Sequence, residues 1–166
     1  MELSGAGYFF ALAGLSMAFL GFTSIVVVLH QGSGNPLSPF QVLITKLFTE
    51  LGLMATAFAM LAPTLAICGM SENYVWRTAS AIMLAVLVPW LVTYPFRRKV
   101  AAPGQKWPIR GYVLNTIGTL AVIALCVNVA GSPINSNPAP LAFATVFVLS
   151  YASVSFFWTY ALFLHE

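Results

Sequence analysis

The sequence predicts an all-α fold, a polytopic transmembrane bundle of five spanning helices with short loops. Two observations carry this. Of the 166 residues 60% are hydrophobic and only 7% charged, and the apolar residues fall into five long runs separated by turn-forming segments. An ordinary soluble domain carries about 25% charged residues, because a folded globule needs a polar skin against water. Seven Lys and Arg with four acidic residues cannot supply that skin. Lipid must therefore be the solvent for most of the surface, and the length is that of a single integral membrane domain over 1–166.

Crossing ~30 Å of hydrocarbon takes roughly 20 apolar residues in a helix, since each backbone polar group must be bonded internally. The expected spans are about 5–29, 39–70, 75–94, 111–130 and 141–164. The first is apolar from Tyr8 to Leu29 and has no basic segment before it, so it reads as a retained span, not a cleaved signal. Ser38 followed by Pro39 gives the second an N-cap and a first-turn proline. Ser71 to Asn73 is a tight connection to the third. The charged loop Pro95 to Arg110 precedes the fourth, and Gly131 to Pro140, with three prolines and two asparagines, precedes the fifth. Pro63 and Pro89 lie inside spans and bend them, as static kinks or as hinges.

Sidedness follows from basic residues near helix ends. Arg97, Arg98, Lys99, Lys106 and Arg110 all fall in one loop, which is placed in the cytoplasm. The N-terminus is then outside and the C-terminus inside. Tyr74 and Trp76 would mark the outer interface, and Trp107, Tyr112, Trp158 and Tyr160 the inner one. The same five basic residues are candidates for contact with anionic headgroups, at ~1 kcal/mol each. Their simpler role is to fix orientation.

Small residues repeat at spacings of three and four in the first two spans: Ser4, Gly7, Ala11, Gly14, Ala18 and Gly21, then Gly52, Ala55, Ala59, Ala62, Ala66 and Gly69. Membrane helices associate where small side chains let backbones approach. The expectation is that these two seams face each other. The alternative is that one of them serves a neighbouring subunit.

Lys46 and Glu50 are the sharpest functional candidates. They are four apart on one helical face, turned well away from the small seam, and that face continues through Ala57, Thr64 and Cys68. An ionisable residue in a span is costly and tends to mark a path, so the pair reads as a charged mouth. The simpler reading is an exposed pair at the interface, because 39–70 is about 48 Å long. Asn115 and Thr119 line one face of the fourth span, with Asn128 roughly opposite; they line a path or bond across helices. Asn115, His30 and Tyr94 share the depth of Glu50, so a polar cluster at the inner end is expected. His30 is also a candidate pH-sensitive group.

Several classes of function are excluded. Asp is absent, so a Ser–His–Asp site cannot form, and no phosphate-cradling loop or metal-ligand spacing occurs. No enzyme activity, cofactor, metal or nucleic-acid partner is expected. Cys68 and Cys126 would both lie near the outer face, where a disulfide is conceivable, although Cys in an apolar run usually behaves as a small hydrophobe. The opening apolar helix, the long second helix with its central proline and the Trp76–Arg77 start of the third resemble small bacterial inner-membrane proteins. That resemblance implies a bacterial inner-membrane setting and no mechanism. Two functions are carried forward. One is a homo-oligomeric channel or transport protein for a small ion, its partners being the bilayer and further copies of the chain. The other is a non-catalytic accessory or scaffold subunit of a larger membrane complex.

Overall fold

The computed structural model describes residues 3, 5–32, 38–104, 109–131 and 136–163, with the side chains of residues 30, 31, 110, 159 and 161–163 outside that description. The five elements are α1 (Ala6–Gly32), α2 (Pro39–Ile67), α3 (Glu72–Ala101), α4 (Ile109–Ala130) and α5 (Pro138–Phe163). Among the described residues there is no strand. All five helices are long and apolar enough to cross a bilayer, which marks the chain as a multi-pass membrane protein.

The helix ends follow local chemistry. Ser38 caps α2 reciprocally: its hydroxyl accepts from the Gln41 N–H at 3.2 Å, and its own N–H donates to Gln41 Oε1 at 2.6 Å. α2 stops at Ile67, three residues before the expected Met70, because Gly69 turns the chain with φ +79°. α3 runs on through Pro95 to Ala101, where a loop was expected after Tyr94. Arg97, Arg98 and Lys99 are good helix formers, so charge at that point extends the helix beyond the apolar run without ending it. α5 begins at Pro138, inside the expected loop, because Asn137 Oδ1 accepts the Ala139 N–H at 3.0 Å and Pro138 occupies the first turn.

α2 and α5 form the centre. Among the described residues the backbone of α2 lies chiefly against α5 and α1, then α3; that of α4 lies against α3 and α5, and that of α1 against α2 and α5, with Phe9 of α1 reaching Trp76 of α3 through its ring. Fully buried side chains from four helices, among them Leu51, Ala55, Trp76, Met83, Leu87, Leu125 and Val148, fill the interior. Phe156 of α5 receives Phe19, Phe22 and Phe48 edge-on at 5.8, 5.8 and 5.5 Å, joining α1, α2 and α5.

The two small seams do not meet. In α2, Gly52, Ala55, Ala59 and Ala62 are buried, as expected of a packing face. In α1, Gly7, Ala11, Gly14, Ala18 and Gly21 are exposed, and a Cβ placed on Gly7, Gly14 or Gly21 would meet nothing within 4 Å. Ser4 lies outside the described residues. The α1 side chains turned inward include Phe9, Leu12, Ser16, Leu20 and Thr23. The reason is packing density: the notch left by Gly52 is filled by Leu20, whose Cδ2 would stand 2.7 Å from a Cβ there. A large side chain in a small hole fills space, whereas two small faces leave it empty. Trp76 departs from expectation as well. It is 1% exposed and packs on Phe9 at 5.6 Å, so it is a core residue and no lipid-facing anchor.

Hydroxyl groups in the helices follow the demands of an apolar medium. Ser16 donates to Leu12 O at 2.8 Å, Thr56 to Gly52 O at 3.0 Å, Thr64 to Met60 O at 2.7 Å and Thr145 to Leu141 O at 2.8 Å. Each satisfies itself on the preceding turn, which removes the cost of placing an O–H in hydrocarbon.

Candidate functional site

The end of the bundle where α2 begins and α3 finishes gathers charge and aromatic groups from α2, α3 and α5. Glu50 on α2 accepts two hydrogen bonds from Arg97 on α3, Nη1 to Oε2 at 2.9 Å and Nη2 to Oε1 at 3.0 Å. This is the fork-on-fork geometry that makes Arg–carboxylate pairs short and directional. Lys46, one turn before Glu50, stands 3.9 Å from Oε1, a looser ion pair; its side chain is 66% exposed, against 30% for Glu50 and 29% for Arg97. The buried indole N–H of Trp90 makes no hydrogen bond of full geometry and lies within reach of the same carboxylate. Glu50 is therefore held from three sides and remains partly open.

The sequence could not pair Glu50 with Arg97, since 47 residues separate them. Charge count alone left Arg97 among the loop residues facing headgroups. The extension of α3 places it instead on a helix next to α2. Of the other basic candidates, Arg98 is half-buried and Lys99 exposed. Lys106 and the side chain of Arg110 lie outside the described residues, as does the side chain of His30.

The path candidates fall on different sides of the molecule. Lys46, Ala57, Thr64 and Cys68 lie along an exposed face of α2. Asn115 is half-buried and Thr119 exposed on α4, where the Thr119 hydroxyl donates to the Asn115 carbonyl at 3.0 Å. Among the described residues the backbones of α2 and α4 do not approach closely, so the two sets stand on separate helix faces. Cys68 and Cys126 are free, exposed thiols.

Near Glu50, an aromatic group closes the same end of the bundle. Trp90 stacks on Tyr94 at 5.6 Å, and Tyr151 of α5 meets both edge-on, at 5.6 Å from Trp90 and 6.1 Å from Tyr94. The side chains of Tyr94 and Tyr151 lie within electrostatic reach of each other. Of the cluster expected at this depth, Glu50 and Tyr94 are thus both close to Trp90, Tyr94 by ring stacking and Glu50 by the indole N–H.

A second polar assembly, at the opposite end, was not anticipated as a unit. Asn128 of α4 is 4% exposed and donates from Nδ2 to Ser80 Oγ at 2.8 Å and to the Asn137 carbonyl at 3.1 Å. Its Oδ1 accepts the Asn137 N–H at 3.0 Å, and its carbonyl accepts the Ser136 hydroxyl at 2.8 Å. Asn73 Oδ1 accepts the Ser136 N–H at 3.1 Å. Nearby, Arg77 Nη2 donates to the Ala130 carbonyl at 3.2 Å, so its cation covers the C-terminal end of α4. These bonds lock the turn into α5 onto α3. An isolated amide in a span and a run of Asn and Ser in the loop were the only signals for it.

Comparison with family models, curated proteins and solved structures finds no match for this chain.

Proposed function

We propose that the protein is a homo-oligomeric channel or transport protein of the bacterial inner membrane, in which Lys46, Glu50 and Arg97 form a charged mouth for a small ion. One observation carries this reading: the charged and mildly polar face of α2 lies on the outside of the bundle, with Glu50 still 30% open after Arg97 has bound it. Glu50 lies about 25 Å of helix rise from the Ile67 end, hence near the inner boundary of ~30 Å of hydrocarbon. Ionisable groups at such depth are costly against lipid and favour a water-lined surface. A second copy covering the face of Lys46, Ala57, Thr64 and Cys68 supplies one, around a symmetry axis. The orientation in this reading is N-terminus outside and C-terminus cytoplasmic, because Arg97, Arg98, Lys99, Lys106 and Arg110 cluster at one end.

A second reading is supported by a different observation. The outward stripe of Gly7, Ala11, Gly14, Ala18 and Gly21 leaves α1 ready for close helix packing, which fits a non-catalytic subunit that docks an unlike membrane protein.

The deciding experiment is the mass of the protein in nanodiscs, followed by ion flux in liposomes. A closed ring of identical chains with flux altered by Glu50→Gln supports the channel. Stable association only with unlike chains, and no flux, supports the accessory subunit.

A further inference from the structure

Three ionised side chains meet between α2 and α3, and they are not equivalent. Glu50 gives both carboxylate oxygens to Arg97, at 2.9 and 3.0 Å. A two-point pair of this kind is close to neutral when seen from outside, because opposite charges in contact largely cancel each other's field. Lys46 approaches the same carboxylate only at Oε1, and only to 3.9 Å. Its side chain is 66% exposed, more than twice as open as either of the other two.

Lys46 therefore carries the surplus charge. The set of Lys46, Glu50 and Arg97 is positive by one charge, and that charge sits on its most accessible member. The segment from Arg97 to Arg110 adds Arg98, Lys99, Lys106 and Arg110 and contains no acid, so the wider field at this end has the same sign. Glu72, the other described acid, opens α3 at the far end of that helix. Lys46 also precedes Glu50 by one turn, about 6 Å of helix rise toward the end that leaves hydrocarbon. An ion arriving along this face of α2 meets the ammonium before the carboxylate. Lys and Arg at a pore entrance favour anions, as carboxylates favour cations. Here the carboxylate is occupied and the ammonium stands open.

We infer that the mouth selects small monovalent anions, with Lys46 as the residue that sets the selectivity and Glu50 as the group that holds Arg97 and cancels its charge. This rests on the small-ion reading and adds the class of ion to it. Two neutralising substitutions one turn apart then act in opposite directions. Lys46→Gln removes the surplus charge and leaves the pair intact. Glu50→Gln leaves Arg97 unanswered and makes the mouth more positive.

The test is paired efflux from liposomes holding the full chain. Chloride efflux is read with valinomycin carrying the balancing potassium, and potassium efflux is read in gluconate with a protonophore carrying the balancing charge. The wild type should release chloride faster than potassium, by a ratio that falls as ionic strength screens the mouth. Lys46→Gln should lower that ratio roughly threefold or more, and Glu50→Gln should raise it. Lys46→Arg keeps the charge and should keep the wild-type ratio, which separates selectivity from damage to the fold. Potassium released faster than chloride, or a ratio indifferent to Lys46→Gln, would overturn the inference and leave the small-ion reading standing. No efflux of either ion from folded, oligomeric wild type would overturn both.

Discussion

Arg97 of α3 grips Glu50 of α2 with both of its terminal nitrogens, at 2.9 and 3.0 Å, across 47 residues of sequence. The pair fixes the N-terminal part of α2 against the C-terminal part of α3. It also leaves one side of the carboxylate open toward Lys46.

Replacing Glu50 by Gln removes the charge that Arg97 answers. Because about a third of the pair is open, the loss belongs at the low end for ion pairs, about 1–2 kcal/mol. Arg97→Gln should cost about the same, and the double variant less than the sum, with ~1 kcal/mol of coupling. Unfolding in mild detergent measures it. Strict additivity would mean that the two side chains act independently.

The glycines of α1 and α2 should behave oppositely. Gly52→Ala places a methyl group 2.7 Å from Leu20 Cδ2, so it should destabilise the bundle by about 1–3 kcal/mol, and Leu20→Ala should recover part of the loss. Gly14 is exposed, and a Cβ there meets nothing within 4 Å, so Gly14→Leu points its side chain away from the bundle. It should leave the unfolding temperature of the isolated protein unchanged, and under the accessory-subunit reading it should abolish capture of the partner. A large loss of stability in Gly14→Leu would contradict the outward placement of that stripe.

The contrast shows what the sequence could and could not convey. Five spans are legible because each apolar run must satisfy its own backbone in lipid, a constraint local to the run. Ser38–Pro39 likewise declared the start of α2. The end of α3 is illegible because Pro95 and the charges after it resemble a loop, whereas a helix leaving hydrocarbon continues readily through Arg and Lys to Ala101. Which faces meet depends on complementary volume between distant residues, and small spacing alone cannot tell a hole from the side chain that fills it. Leu20 against Gly52 is such a case. For the same reason Lys46 and Glu50 stood out as charges in a span, while Arg97, Trp90 and Tyr151 acquired their place only through the packing of α3 and α5.

Gly131 should be intolerant of any side chain. Its φ is +67°, and a Cβ there would run into the guanidinium of Arg77. Gly131→Ala should cost about 1–3 kcal/mol from the backbone conformation and the displaced Arg77 together. Arg77→Gln should be milder than Gly131→Ala, since it removes only the bond to the Ala130 carbonyl. Comparing the two unfolding temperatures checks the order.

Asn128→Ala should loosen the turn into α5. It strips the side-chain bonds to Ser80 and Asn137 and should lower stability by about 2–4 kcal/mol, because buried groups lose their partners. Hydrogen exchange at Asn137 and Ala139 should speed up before the centre of α2 is affected. Uniform acceleration across the bundle would mean that the network is not local.

Ion flux through liposomes holding the purified protein, compared with protein-free liposomes and with Glu50→Gln, tests the functional account most directly. The account predicts flux above the protein-free level and a several-fold change when Glu50 loses its charge. Flux at the protein-free level from a correctly folded, oligomeric wild type would contradict it.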